Sequence, residues 1–136
     1  MKVLLDTNVV LDVLLARKPF LDDSFSAMEK ALEKGHLLFL SATAATDVYY
    51  LCRKAMERKE DALDALDRVT QIVRIAPVNE DCILEAMRSD FSDFEDAVVE
   101  QIATLLQADC ILSRNAPDFK KSSHRVLTPT EFIAEL

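Results

Sequence analysis

Residues 4–12 read LLDTNVVLD, and the polar group within this stretch decides how the fold is interpreted. The apolar run from Val3 to Leu5 has the length of a short strand that is buried on both faces of a parallel sheet. It ends at Asp6, whose carboxylate is costly to bury unless another group pairs with it. From Asn8 onward the apolar residues follow helical spacing. A buried strand that leads directly to a carboxylate and then to a helix indicates a functional site.

Strand-like apolar runs alternate with amphipathic helical stretches along the rest of the chain. Further strands are predicted at residues 37–40, 72–75 and 110–112, and a short fifth strand at 126–127. Strands separated by helices form parallel sheets that helices cover on both faces. We therefore expect one three-layer α/β/α domain over residues 1–136, with a central parallel sheet of four to five strands.

Capping residues set the expected ends of the helices. Gly35, the only glycine, stands where a helix C-terminus is favoured. The segment from Thr128 to Glu131 has the pattern of a capping box with Pro129 at the first helical position. Ser41 or Thr43 is the predicted N-cap of a helix that extends through Arg58. Asn79 and Asp93 are the predicted N-caps of two later helices. The apolar stripes predict that these helical side chains face inward: Phe25, Met28, Leu32, Val48, Leu51, Cys52, Leu63, Val69, Leu84, Met87, Ile102 and Leu105.

Composition and charge exclude several classes of protein. The formal net charge is −8 with an isoelectric point near 4.7, which argues against a broad nucleic-acid-binding surface and fits a cation site or a basic partner. The three cysteines are far apart and lie in apolar stretches, so we expect reduced core residues. No apolar run is long enough to span a bilayer, and the N-terminus lacks the pattern of a signal peptide. These features predict a cytoplasmic protein.

Acidic residues fall where the predicted strands end or where helices begin. Asp6 follows the first strand, Asp47 lies in the helix after the second, and Asp93 and Asp96 open the helix before the fourth. The polar segment 113–118 follows that fourth strand. Open α/β sheets bind ligands outside the carboxyl ends of their strands. If the first and fourth strands are neighbours, these groups converge at one edge of the sheet.

Several carboxylates in one cleft repel one another unless a cation lies between them. Oxygen ligands of this kind favour Mg²⁺ or Mn²⁺, and such an ion activates water for attack on a phosphodiester. Other roles remain open for single residues. Asp93 is equally well explained as an ordinary N-cap, and Asn115 as a turn residue. Asp12 and Glu100 are interpreted as solvated groups or as supports of the ligands.

These motifs together resemble the PIN domain, the ribonuclease fold of VapC-type toxins. The stretch VLLDTNVVLDVLL (3–15) is similar to the opening motif of that family, and LSATAATDVYYLCRK (40–54) to its second. The stretch DFEDAVVEQIATLLQADCILSRN (93–115), followed by PDF (117–119), is similar to the third and fourth motifs. The resemblance covers nearly the whole chain. It implies strand order 3-2-1-4-5, a metal-dependent endoribonuclease and the toxin of a toxin–antitoxin pair.

The resemblance also implies a role for individual residues. Asp6, Asp47 and Asp96 are the expected catalytic residues, although Asp47 stands where the family usually has Glu. Asn115 stands where a fourth acid is often found. A cognate antitoxin, an RNA substrate and a homodimer are the expected partners. The expected metal ligands are Asp6, Asp47, Asp93, Asp96 and Asp118; the supporting residues are Thr7, Asn8, Ser113 and Asn115; the substrate-binding cations are Arg17, Arg53, Arg114 and Lys120.

Two other functions are consistent with parts of the pattern. The acidity, Asp47 and Asn115 would also fit a PIN-like binding module whose catalytic site is weak or inactive. A phosphorylated receiver domain also carries acids at strand ends. It needs an acceptor Asp after a central strand, however, and the second and third predicted strands here are followed by Ser41 and Pro77.

Overall fold

The computed structural model describes residues 1–136, in which five short strands alternate with seven α-helices. The strands are β1 (Lys2–Leu5), β2 (Leu37–Ser41), β3 (Arg74–Ala76), β4 (Cys110–Leu112) and β5 (Val126–Leu127). The helices are α1 (Thr7–Leu14), α2 (Leu21–Glu33), α3 (Ala42–Ala55), α4 (Lys59–Thr70), α5 (Glu80–Arg88), α6 (Phe94–Leu106) and α7 (Pro129–Glu135). A 3₁₀ helix covers Ala116–Phe119. All strand pairs are parallel, in the order β3-β2-β1-β4-β5, which confirms the predicted fold and topology.

Successive residues of β1 point to opposite faces of the sheet and enter two separate apolar cores. Val3 and Leu5 pack in the larger core with residues of α1, α2, α3, α4 and α7. Leu4 packs in the smaller core with residues of α5 and α6. The central strand is therefore covered on both sides, which explains why its sequence is a continuous apolar run rather than an alternating one.

The pairing of β1 with β4 fixes the position of the predicted site. Leu5 is paired with Leu112, and the backbone N–H of Asp6 donates to the carbonyl of Leu112 at 2.9 Å. The first polar residues after the two strands, Asp6 and Ser113, consequently lie side by side. The acidic residues were expected to converge if the first and fourth strands are neighbours, and the structure shows that they are.

Several predicted boundaries are confirmed and others are wrong. Ser41, Asn79, Asp93 and Thr128 each cap a helix through their side chains, and Thr128 with Glu131 completes the capping box. Gly35 follows the end of α2 with a φ of 80°. The helix after β2 ends at Ala55 rather than Arg58, because Arg58 is the N-cap of α4. The third strand covers Arg74–Ala76, not residues 72–75.

The predicted apolar stripes contain both buried and exposed residues. Met28, Val48, Cys52, Val69 and Ile102 lie in the cores as predicted. On α5 the buried residues are Cys82 and Ala86, which precede the predicted Leu84 and Met87 by two positions and by one. The predicted inward-facing residues that are exposed instead are Phe25, Leu32, Leu51, Leu63, Leu84, Met87 and Leu105.

All three cysteines are buried and free, as expected. No helix has the length and apolar character needed to traverse a membrane.

Candidate metal centre

Asp6 lies at the junction between β1 and α1 and is held there by two hydrogen bonds. As the N-cap of α1, its Oδ1 accepts from the backbone N–H of Thr7 at 2.9 Å. Its Oδ2 accepts from the hydroxyl of Ser113 at 2.8 Å. The residue is 9% exposed, and burial raises the pKa of its carboxyl above the ordinary value, although the bonds from Ser113 and Thr7 oppose that rise.

Asp93 and Asp96 bring two further carboxylates to this edge of the sheet from the N-terminus of α6. Asp93 is the N-cap, and its side chain accepts from the backbone N–H of Asp96 at 3.1 Å. Burial, together with the negative charges of Asp93, Asp6 and Asp118, raises the pKa of Asp96 to about 7. The charge of Asp6 therefore acts on Asp96, which is 90 positions away in the sequence. This agrees with the expectation that the acidic residues converge at one edge of the sheet.

Glu95 belongs to the same acidic cluster and was not predicted from the sequence. Burial raises the pKa of Glu95 above its ordinary value, and Asp47, Asp93 and Asp6 add to that rise. Asp47 is thus brought near the N-terminus of α6 from its position in α3. Glu95 lies between two predicted acids in the sequence, and a neighbour on a helix does not normally share their direction.

The segment after β4 completes this edge. Ser113 is fully buried, and its hydroxyl both donates to Asp6 and accepts from the backbone N–H of Asn115 at 3.0 Å. Asp118 lies in the 3₁₀ helix, and its negative charge raises the pKa of both Asp6 and Asp96. Thr7 and Asn115 therefore contact the centre through their backbones. The carboxylates of Asp6, Asp47, Asp93, Glu95, Asp96 and Asp118 form what we call the acidic cluster.

The chemistry of the acidic cluster fits a hard divalent cation. Its donors are carboxylate oxygens, which suit Mg²⁺ or Mn²⁺. The raised pKa values of Asp6, Glu95 and Asp96 show negative charge that the protein leaves uncompensated. As the side chains stand, no three acidic, His or Cys residues are close enough together to hold one ion.

Two of the predicted substrate-binding cations, Arg17 and Arg114, pair with a buried carboxylate in the structure. Asp12, interpreted from the sequence as solvated or supporting, is completely buried. Its carboxylate accepts from Arg17 Nε at 3.1 Å, from Arg114 Nε at 3.0 Å and from the hydroxyl of Ser24 at 3.2 Å. The guanidinium of Arg114 also lies 4.0 Å above the ring of Phe20. The expectation of a solvated Asp12 is wrong, because the two arginines compensate its buried charge.

The side chain of Asn8 belongs to this same ionic network. Its Oδ1 accepts from Arg17 Nη2 at 3.1 Å, and its backbone carbonyl accepts from the same group at 3.3 Å. Asn8 therefore holds Arg17 and makes no hydrogen bond to Asp6. The guanidinium of Arg53 donates to the backbone carbonyls of Met56 and Glu57, both at 3.3 Å, just beyond the C-terminus of α3.

Comparison with known proteins identifies the family of the chain. Residues 2–116 match the PIN domain family. The chain belongs to the PIN domain family. A curated relative, Ribonuclease VapC1 of Aquifex aeolicus, is 31% identical over 136 residues, an alignment that covers 96% of this chain and 92% of the relative.

Solved structures share the fold of this PIN domain at much lower sequence identity. VapBC2 of Rickettsia felis, bound to a DNA fragment from its promoter, has a TM-score of 0.72 at 16% identity, covering 94% of this chain and 98% of that one. VapBC-1 of nontypeable Haemophilus influenzae has a TM-score of 0.72 at 15% identity, covering 96% and 99%. A toxin–antitoxin complex of Klebsiella pneumoniae has a TM-score of 0.66 at 21% identity, covering 93% and 97%.

Glu100 of this PIN domain holds the loop that precedes β5. It lies one turn beyond Asp96 and is 6% exposed, so the expectation of a solvated group is wrong. Its Oε1 accepts from the backbone N–H and the hydroxyl of Ser123, both at 2.9 Å, and lies 2.7 Å from His124 Nδ1. The hydroxyl of Ser122 donates to Oε2. Burial raises the pKa of Glu100, but these hydrogen bonds outweigh that effect and hold it below the ordinary range.

Proposed function

We propose that this PIN domain is a metal-dependent endoribonuclease, and that it is the toxin of a toxin–antitoxin pair. The observation that carries the proposal is the acidic cluster at the carboxyl ends of β1 and β4, where burial and mutual repulsion raise the pKa of Asp6 and Asp96. The cluster carries an electrostatic cost, because the buried carboxylate of Asp6 and the half-buried one of Asp96 lie among other negative charges. A bound cation removes that cost. The similarity to a curated ribonuclease supports the same reaction.

Each residue contributes to the reaction through its position. Asp6 and Asp96 would hold a Mg²⁺ or Mn²⁺ ion at the carboxyl ends of the first and fourth strands, with Asp93 and Asp118 beside them and Asp47 sharing or orienting the ion. When bound, the ion would lower the pKa of a water molecule and stabilise negative charge on the phosphate oxygens. Ser113 fixes the direction of the Asp6 carboxylate by its hydrogen bond. Asn115 fixes Ser113 in turn through its backbone N–H.

A cleavage assay tests the enzymatic part of the proposal. Purified protein should cleave a structured RNA when Mg²⁺ or Mn²⁺ is added and should be inactive in EDTA. The double variant Asp6→Asn/Asp96→Asn should lose the activity, whereas Asp64→Asn, which removes an exposed carboxylate of α4, should retain it. Equal cleavage by the double variant would contradict the proposal, since the activity would then come from a contaminant.

The alternative function is a binding module that acts through a partner without cleaving RNA. The shorter Asp47 and the uncharged Asn115, which stand at positions where the family usually has Glu and often has an acid, favour it. Calorimetry separates the two functions. Absence of Mn²⁺ binding at millimolar concentration, together with intact partner binding, would favour the binding module.

An antitoxin is the partner that we propose. Solved neighbours of this fold include VapBC and toxin–antitoxin complexes. On this chain, an apolar groove with a cavity volume of about 250 Å³ lies between α1, α2 and α4, lined by Val13, Met28 and Ile72 among others. Phe25 and Leu32 extend its apolar surface along α2. We propose that a segment of the antitoxin covers this groove.

The partner is testable with the product of a small reading frame beside this gene. Co-expressed with the PIN domain, that product should co-purify with it and inhibit cleavage. Ile72→Glu places a charge in the groove and should disrupt the complex, whereas Leu105→Glu, at an exposed apolar residue of α6, should leave it intact. Equal complex formation by both variants would exclude the groove as the contact.

We also propose a homodimer, for which light scattering of the purified protein should give twice the mass of the chain.

A further inference from the structure

A cleft borders the acidic cluster on the side of the 3₁₀ helix. Its walls are residues 90–92, which precede α6, and residues 117–121, and its cavity volume is about 200 Å³. Asp118 lines the cleft and also belongs to the acidic cluster, so the cleft opens next to the proposed metal ion. Lys120 and Lys121 stand on the same wall as Asp118. The cleft therefore places two lysines beside the acidic cluster, together with the carboxylates of Asp90 and Asp118 in its lining.

Lys120 and Lys121 are available for a ligand, unlike the other cations near the site. Both are exposed, and neither makes a hydrogen bond or an ion pair within the chain. Three other arginines named from the sequence are engaged: Arg17 and Arg114 with Asp12, and Arg53 with two backbone carbonyls. Of the four cations predicted to bind substrate, only Lys120 keeps its charged group free for a phosphate.

The backbone segment that carries Lys120 and Lys121 is held in place at both ends. Phe119, immediately before Lys120, is buried and packs edge-to-face against Phe91 of the opposite wall, with 6.3 Å between the ring centroids. Immediately after Lys121, Ser122 and Ser123 donate to the buried carboxylate of Glu100. Phe119 and Ser122, three positions apart, leave little freedom to the backbone that carries the lysines, so less entropy is lost when a ligand binds.

We infer that this cleft is a phosphate subsite for the RNA strand, and that Lys120 and Lys121 bind the backbone phosphate next to the scissile one. The inference rests on the proposed nuclease function and adds the path of the substrate to it. Lysine ammonium groups contact phosphate oxygens as compact charges and carry no base preference. The subsite should consequently contribute affinity and position the strand without selecting its sequence. It also explains how a chain of net charge −8 binds RNA, since a local pair of lysines is sufficient where a broad basic surface is absent.

A charge-matched pair of double variants tests the inference. Lys120→Gln/Lys121→Gln removes the proposed contacts. Lys30→Gln/Lys34→Gln removes the same charge from the C-terminal end of α2, which leads into β2 and so lies at the opposite edge of the sheet. Both variants should unfold at the temperature of the native protein, because all four lysines are exposed. Cleavage of a single-stranded RNA is then measured over a range of salt concentrations.

The subsite variant should have a KM raised about tenfold, as expected for the loss of two charge-assisted contacts, with kcat changed by less than about twofold. The dependence of log(kcat/KM) on log salt should become shallower by about 1.4, from two lost contacts on a single strand. The control variant Lys30→Gln/Lys34→Gln should match the native protein in its kinetic constants and in its salt dependence. Equal effects of the two variants, or a loss confined to kcat, would overturn the subsite. If the native protein cleaves no RNA with Mg²⁺ or Mn²⁺, the nuclease proposal itself fails and the subsite with it.

Discussion

Asp96→Asn should stabilise the metal-free protein at the same time as it abolishes activity. The carboxyl of Asp96 has a pKa of 3.8 in the absence of the fold and about 7 within it, because of burial and of Asp93, Asp6 and Asp118. A carboxyl whose pKa is raised by folding contributes stability below about pH 4 and loses that contribution as the pH rises through 7. At pH 8 the folded protein therefore carries an unfavourable charge, which the neutral and nearly isosteric Asn removes.

The size of the gain follows from the same values. The difference between the two pKa values of Asp96, 3.8 and about 7, corresponds to about 4 kcal/mol of folding free energy if taken in full. Asp96 is only partly buried, so solvent screens its interactions, and we expect about 1–2 kcal/mol. For a chain of 136 residues this predicts a rise in melting temperature of about 3–8 °C. The backbone N–H of residue 96 still donates to Asp93, so the helix cap is retained.

Thermal unfolding followed by circular dichroism measures the effect in EDTA at pH 8 and at pH 5.5. The gain should be present at pH 8 and smaller at pH 5.5, where the native carboxyl is mostly protonated. Asp64→Asn serves as the surface control and should change the stability by less than about 0.5 kcal/mol at either pH. A variant at position 96 that is less stable than the native protein at pH 8 would refute the electrostatic description of the acidic cluster.

Three further changes test other parts of the structure. Ser113→Ala removes a hydrogen bond that lowers the pKa of Asp6, so the acid limb of the kcat/KM profile should move up by up to about one pH unit, and an unchanged profile would contradict that role. Asp12→Ala should lower the free energy of unfolding in urea by about 3 kcal/mol, because two arginines lose their buried partner; a loss below about 1 kcal/mol would refute this. Glu100→Gln should make trypsin cut after Lys121 about tenfold faster, since an amide cannot accept all the bonds that hold the loop, and an unchanged rate would show that the loop is fixed by other contacts.

The parts of the site that follow directly from β1 and β4 were predictable from the sequence. Asp6 interrupts an apolar run, and the rule that ligands bind at the carboxyl ends of parallel strands gives its location without knowledge of the contacts. The N-caps Asp93 and Thr128 are likewise local patterns, and the structure has both. Each of these features depends on residues within a few positions of one another.

The sequence did not predict the features that depend on distant contacts. Asp12 and Arg114 are 102 positions apart, and Glu100 and Ser122 are 22 apart, so no local pattern shows that these acids are buried and paired. The third strand was placed too early because Ile72 and Val73 favour strands, whereas the sheet pairs Arg74 to Ala76 with β2. Exposed apolar residues on the helices, such as Phe25 and Leu32, carry the helical period but face the groove rather than the core.

A calorimetric titration of the protein with Mn²⁺ near pH 7, repeated in buffers of different ionisation enthalpy, shows whether the acidic cluster binds a metal ion. We expect binding that is accompanied by proton release, because the ion displaces the proton from Asp96, whose carboxyl is half protonated at that pH. Asp6→Asn should abolish or greatly weaken that binding, and Asp64→Asn should leave it unchanged. No binding of Mn²⁺ at millimolar concentration, or equal binding by Asp6→Asn, would contradict the claim that the acidic cluster is a metal site.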